Sequence, residues 1–202
     1  MEYSEKSLIR NKMAVLRSGL DGDSVTSRSS QVIEKVLVHP YYEKADVILT
    51  YVSLPKEVQT FFLIEDAFDK GKKVAVPRIE KSCMVFKYII GMSELTQGTM
   101  GILEPSAYAE NVDIAEEVQK AAVSVIMPGV AFDEARNRIG YGGGFYDKFL
   151  HNLSEETRGR VKLIAPAFDI QVFDRLPADQ HDVKPDIDNR SEERRVGKEC
   201  RS

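Results

Sequence analysis

Short runs of β-branched and other apolar residues recur along this chain, each separated from the next by residues at helical spacing. That alternation restricts the possible folds more than any other feature. Residues 45–52 (ADVILTYV), 73–77 (KVAVP), 84–90 (MVFKYII), 122–127 (AVSVIM) and 161–165 (VKLIA) read as strands. Residues 3–18 predict a helix with Leu8, Met13, Val15 and Leu16 apolar and Lys6, Arg10, Asn11, Lys12 and Arg17 polar, stopped by Gly19 and the Asp21, Gly22, Asp23 cluster. A second helix starts near Asp23 or Ser24, carries Val32, Ile33, Val36 and Leu37, and closes at Pro40. Residues 57–70 predict a third, offering Phe61, Phe62, Leu63, Ile64, Ala67 and Phe68 to the core, and residues 146–153 a fourth. Residues 91–115, with Gly98, Gly101 and Pro105, read as loops and short helical turns. Strands alternating with helices through short connections imply parallel βαβ units. The expected class is therefore α/β: a three-layer α/β/α, doubly wound, mostly parallel and Rossmann-like sheet, with ligands beyond the carboxyl ends of its strands.

The 202 residues are enough for one domain with a substantial core, expected to span 1–190. A formal net charge of −4 provides no global positive field for nucleic acid or an anionic membrane. No window approaches the roughly 18 apolar residues of a membrane span, and the charged N-terminus does not read as a signal peptide. Two cysteines, Cys83 and Cys200, make neither a disulfide framework nor a metal-ligand spacing, which favours a reducing compartment, the cytoplasm. The three histidines, His39, His151 and His181, are scattered and form no zinc pattern. Residues 191–202 (SEERRVGKECRS) have almost no apolar content and no periodicity, so they read as an appended or disordered tail. Removing them is expected to leave turnover unchanged. A large loss of activity in that truncation would show the tail to be structural.

The most unusual stretch is 128–147, PGVAFDEARNRIGYGGGFYD. Gly140, Gly142, Gly143 and Gly144 lie within five residues, directly before a helix, where the backbone can turn tightly and present N–H groups to an anion. Arg138 precedes the loop and adds charge, while Asp147 falls in the first turn of the helix, suited to magnesium or merely to the helix dipole. The pattern is neither GxGxxG nor GxxxxGK[ST]. Phosphate binding is nevertheless the better reading once the strand, the arginines and the early aspartate are taken together.

This segment resembles the signature of the 5-formyltetrahydrofolate cyclo-ligase family, also called methenyltetrahydrofolate synthetases. The resemblance runs from Lys6 to about Asp186, through KSLIR (6–10), residues 52–60 with Glu57, VPR (76–78) and HDVKPD (181–186). It implies an ATP- and Mg²⁺-dependent ring closure of 5-formyltetrahydrofolate, free or polyglutamylated, to 5,10-methenyltetrahydrofolate, releasing ADP and phosphate. An N-formyl oxygen is a poor leaving group, so phosphorylating it activates the carbon for attack by N10. Such chemistry asks the protein for positioning and charge stabilisation more than for a nucleophile.

By the family pattern, Lys6 and Arg10, one helical turn apart, grip ATP phosphates, and Lys6 and Arg138 carry the catalysis. Arg78, Arg138, Ile139, Gly140, Tyr141, Gly142, Gly143, Gly144, Phe145 and Tyr146 complete the ATP site. Tyr141 to Phe145, with Val52 and Glu57, border the formyl-pterin, Glu57 accepting its hydrogen bonds from the start of a helix. Asp147 and Asp182 bind Mg²⁺. Phe132 and Met84 either wall the pterin or belong to the core. The working form is expected to be a monomer.

In family members the chain continues past HDVKPD into a last strand, whereas here Ile187, Asp188, Asn189 and Arg190 run straight into the tail. A truncated strand there would loosen the sheet edge beside Asp182. Two other readings stay open: a relative that keeps the fold and ATP loop but uses another substrate, such as one of thiamine metabolism, and a non-enzymatic nucleotide-binding module. Lys6, Arg10, Glu57, Arg138 and Asp147 together favour the cyclo-ligase.

Overall fold

A computed structural model describes residues 4–98 and 101–190; the tail, with Cys200, lies outside them. Helix α1 (Glu5–Ser18) opens where the Ser4 hydroxyl accepts from the Ser7 amide at 3.3 Å. Its expected apolar stripe is not the face that docks. Only Met13 is fully buried, and Leu8, Val15 and Leu16 stay exposed. Helix α2 (Gly22–Leu37) starts slightly earlier than expected, because Asp21 caps it through the Ser24 amide at 2.6 Å. Val32, Ile33 and Val36 go into the core. Pro40 does end α2, but it also sits at the first position of a further turn, α3 (Pro40–Glu43), where its missing N–H costs nothing.

Strand β1 (Val47–Thr50) is buried at every residue, as a central parallel strand must be. Helix α4 (Phe61–Asp69) begins four residues later than the spacing predicts. Residues 54–60 are tied instead into a polar turn in which Thr60 Oγ1 donates to the Tyr51 carbonyl at 2.8 Å. Then follow β2 (Lys73–Glu80), β3 (Cys83–Ile89), the two-residue pair β4 (Thr96–Gln97) and β5 (Leu103–Glu104), and α5 (Ile114–Lys120). After β6 (Val123–Ile126) come β7 (Ala131–Asp133), β8 (Arg138–Ile139), α6 (Phe145–His151), α7 (Glu155–Arg160), β9 (Lys162–Ala167), β10 (Val172–Phe173) and β11 (Ile187–Arg190).

The main sheet has the order β11-β9-β6-β1-β2-β3, all parallel except β3, which returns antiparallel to β2 as a hairpin. The fold is α/β with a mostly parallel central sheet. Helices α2 and α4 pack on each other, α2 also on β9 and β11 and α4 on β2; α5 meets α7, and α6 lies on β3. Ile48, Leu49, Leu63, Ile64, Ile126 and Leu163 are fully buried, each adding about 1.5–3 kcal/mol of transfer free energy. Phe132 and Met84 belong to this interior, at 0% and 8% exposure. The last strand is present: β11 pairs with β9 in parallel from Ile187 opposite Ile164 to Arg190 opposite Ala167.

From β1 the chain runs outward through β2 to β3, then crosses back to place β6 on the other side of β1. The sheet therefore has a topological switch point between β1 and β6, and the crevice beyond their carboxyl ends is where such sheets bind ligands. The segment carrying Glu57 follows β1, and the segment leading to Arg138 follows β6.

Candidate active site

Beyond β1 the backbone folds back on itself. The Glu57 amide donates to the Leu54 carbonyl at 3.0 Å, and Glu57 Oε2 accepts from the Leu54 amide at 2.7 Å. Glu57 thus sits in a turn ahead of α4, not at a helix start as expected, and is 8% exposed. Its other oxygen, Oε1, accepts from the Tyr141 hydroxyl. Burial pushes the Glu57 carboxyl above its ordinary value, and the bonds from Tyr141 and Leu54, with the Arg17 charge, only partly offset this. Arg17 Nη1 donates in turn to the Tyr141 oxygen at 2.6 Å, its guanidinium lying 5.3 Å from the ring centre. One clasp therefore joins α1, the glycine-rich loop and the turn after β1.

Beyond β6 the short hairpin β7–β8 delivers Arg138 to the crevice. Buried Asp133 locks that hairpin by accepting from the Asn137 and Leu176 amides at 2.8 and 2.9 Å. The loop after β8 requires glycine at two places: Gly142 has φ +107° and Gly144 φ +63°, which side chains other than glycine rarely tolerate. A side chain at Gly143 would overlap the Phe145 ring, 2.7 Å from where its Cβ would lie.

Arg138 is buried. Its Nη2 donates to Asp147 Oδ1 at 2.7 Å and Nη1 to the Pro128 carbonyl at 3.2 Å, while Nε has no partner. Asp147 Oδ1 also accepts from the Val183 amide at 3.0 Å, bringing Asp182 alongside. Lys6 Nζ reaches Asp182 Oδ2 at 2.5 Å and Asp179 Oδ2 at 2.7 Å. Burial raises the Asp182 carboxyl, but the Asp179 amide and Lys6 outweigh it and hold the pKa below the ordinary value. Burial lowers Lys6 as well, and there too the two aspartates prevail and raise it. Arg10 Nε donates to the Gly140 carbonyl at 2.8 Å.

The structure thus brings Lys6, Arg10, Glu57, Arg138, Asp147, Asp182 and the loop Ile139 to Tyr146 into one connected network. Val52 is buried, between the end of β1 and the turn that holds Glu57. Arg78 is engaged elsewhere: its Nη1 donates to the Pro105 carbonyl at 2.7 Å and faces buried Glu104 at 3.4 Å, so it anchors the strap after β5. Among the described residues no group of three or more His, Cys, Asp or Glu could hold a metal by itself. Asp147 and Asp182 are the carboxylates of this network that could hold a magnesium ion, whose hard-oxygen preference they match, with its other ligands coming from phosphate and water.

Sequence reasoning overlooked Arg17, Asp133 and Asp179. Arg17 was accessible from spacing, since Lys6, Arg10, Met13 and Arg17 follow one face of α1 at intervals of about four, three and four residues. Asp133 lies within the 128–147 stretch, where spacing alone assigns it no role. Asp179 is exposed and gave no signal.

A mostly parallel α/β sheet whose switch-point crevice gathers cations, carboxylates and a glycine-rich loop has the layout in which proteins of the α/β class receive ligands. Comparison with known proteins narrows this. Residues 2–187 match the model of the 5-formyltetrahydrofolate cyclo-ligase family. A probable 5-formyltetrahydrofolate cyclo-ligase of Schizosaccharomyces pombe is 30% identical over 194 residues, covering 89% of this chain and 94% of its own. The 5-formyltetrahydrofolate cyclo-ligase of Haemophilus influenzae is also 30% identical, over 91% of this chain and 96% of its own. The NMR structure of Aquifex aeolicus 5,10-methenyltetrahydrofolate synthetase matches with a TM-score of 0.75 at 28% identity, covering 98% of this chain and 95% of that one. The chain belongs to the 5-formyltetrahydrofolate cyclo-ligase family and is an enzyme of the ligase class.

Proposed function

We propose that this enzyme closes the ring of 5-formyltetrahydrofolate to give 5,10-methenyltetrahydrofolate at the expense of ATP, releasing ADP and phosphate. The observation that carries this reading is the junction of two kinds of group across one glycine loop. A buried carboxylate, Glu57, lies on one side, and Lys6, Arg10, Arg138, Asp147 and Asp182 lie on the other. The first suits the N–H groups of a pterin, and the second suits a polyphosphate with its cation. Lys6 and Arg10 hold the phosphates from α1, Ile139 to Tyr146 wrap them, and Arg138 offsets charge on the group in transfer. Asp147 and Asp182 would hold magnesium, which would supply neutralisation of phosphate charge. Val52 and Tyr141 to Phe145 border the pterin. Arg78, committed to Pro105 and Glu104, is given a structural part instead.

We take the working form as a cytoplasmic monomer of one domain, residues 1–190, acting on free or polyglutamylated folate. Two observations are consistent with this: among the described residues no helix is long and apolar enough to cross a membrane, and the net charge of −4 offers no field for nucleic acid. The test is to mix protein, Mg·ATP and 5-formyltetrahydrofolate and follow the absorbance of the methenyl product. Product that forms only with ATP is expected. ATP binding with no product from any folate would move the assignment to a relative with another substrate.

A further inference from the structure

The two halves of this site rest on different cores. Glu57 lies in the turn after β1, where Val52, Val58 and Leu63 are buried in the main apolar cluster with the central strands. Met13, Val130, Ala131, Ile139 and Leu176 make a second, smaller cluster. On it sit α1 with Lys6 and Arg10, β8 with Arg138, and the start of the segment leading to Asp179 and Asp182. The strands there, β10-β7-β8, form a sheet of their own in which β8 and β10 have two residues each. Strands so short are marginal by themselves.

Asp133 supplies the missing fastening. It is 1% exposed. Its Oδ1 accepts from the Asn137 amide at 2.8 Å, and its Oδ2 from Asn137 Nδ2 at 2.8 Å and the Leu176 amide at 2.9 Å. Burial works to raise the carboxyl, but these bonds, with the Ala135 amide, outweigh it and hold it below the ordinary value. One charged oxygen thus ties the hairpin turn to a segment 43 residues later. On the hairpin side, Arg138 follows Asn137 directly and is held opposite Phe132. On the other side, Asp179 follows shortly after Leu176. Its amide donates to Asp182 Oδ2 at 2.7 Å, and both carboxylates accept from Lys6.

We infer that Asp133 is a positioning residue for the nucleotide half of the site. It touches no substrate, and through Asn137 and Leu176 it sets the spacing between Arg138 and the Lys6–Asp182 pair. Asp147 comes from α6, which packs on the main core, so Arg138 meets it across the boundary between the cores. A hairpin shifted by about 1 Å moves Arg138 away from its target, and misplacement on that scale can cost on the order of 10²-fold in rate. The Glu57 turn, seated on the other core, stays in place.

This inference rests on the cyclo-ligase reading, which names ATP as the occupant, and Asp133→Asn tests the two apart. The NH₂ of asparagine would face donors, so at least one of the three bonds is lost. In protein shown to be folded by a thermal melt, Kd and KM for ATP are expected to rise roughly 10-fold and kcat to fall roughly 10-fold, with KM for 5-formyltetrahydrofolate unchanged. Loss of folded protein alone lowers kcat but moves neither KM. An unchanged ATP Kd, or both KM values rising together, would therefore overturn the role. If Asp133→Asn does not fold, Asn137→Ala decides. That change removes one bond to the same oxygen from a half-buried side chain and should give the same split at smaller amplitude; no split overturns the role. Calorimetric titration with ATP reads Asp133 without turnover. Wild-type protein that binds ATP but makes no methenyl product thus overturns the cyclo-ligase reading and leaves this role to the titration, whereas protein that binds no ATP overturns both.

Discussion

Arg138→Lys is expected to lower kcat by roughly 10²- to 10³-fold while the protein still folds, and Arg138→Ala to lose both activity and stability. The guanidinium holds two things at once, the Asp147 carboxylate at 2.7 Å and the Pro128 carbonyl at 3.2 Å. Lysine keeps the charge, and so a partner for Asp147, but its single ammonium cannot reproduce the planar fork. The phosphoryl group in transfer then loses an oriented donor, which is the loss that costs two to three orders of magnitude in comparable sites. Alanine leaves Asp147 without its buried cation, a change costing about 3–5 kcal/mol. Steady-state kinetics with the methenyl absorbance, together with thermal melts, distinguish the two variants. A lysine variant with wild-type kcat and ATP affinity would remove Arg138 from the chemistry.

Glu57→Gln should raise KM for 5-formyltetrahydrofolate on the order of 10²-fold and leave ATP affinity near wild type. Hydrogen bonds to a charged group are worth about 1.5–3 kcal/mol, and a pterin would lose that charge on its N–H groups. The turn should persist, because the glutamine oxygen can still accept from the Leu54 amide while its NH₂ donates to the Tyr141 oxygen. The pH behaviour has a definite sign. Burial raises the Glu57 carboxyl above the ordinary glutamate value, outweighing Tyr141, Leu54 and Arg17. Its ionised form therefore opposes folding above the raised pKa, and this cost disappears as the pH falls through it. Folate affinity should start to weaken, on acidification, at a higher pH than an exposed glutamate would dictate. The glutamine variant should lack that acid limb, measured as KM against pH. An unchanged KM in Glu57→Gln would detach the pterin from this carboxylate.

The elements that sequence reading missed have a common cause. Helix α5 has seven residues and α7 only six, and α7 buries only Thr157. An element that contributes so little apolar surface leaves no periodic trace. Strands β4, β5, β8 and β10 are two residues long, below the length at which alternation is visible. On α1 the error was of another kind. Apolar residues were present, but three of the four stay exposed, and the helix docks through Met13 with Lys6, Arg10 and Arg17 facing the site.

What the sequence determined alone was whatever depends on neighbours along the chain. The apolar runs required buried strands, and the glycines at 142 and 144 suit a backbone that other residues resist. Distant groups were decided only by tertiary structure. Glu57 meets Tyr141 across 84 residues and Lys6 meets Asp182 across 176, through side chains placed by the order of parallel strands. The first pairing arises because the switch point between β1 and β6 brings the segments that follow those two strands to one end of the sheet, and the second because α1 reaches the segment that precedes β11. Local spacing carries no record of which segments those are.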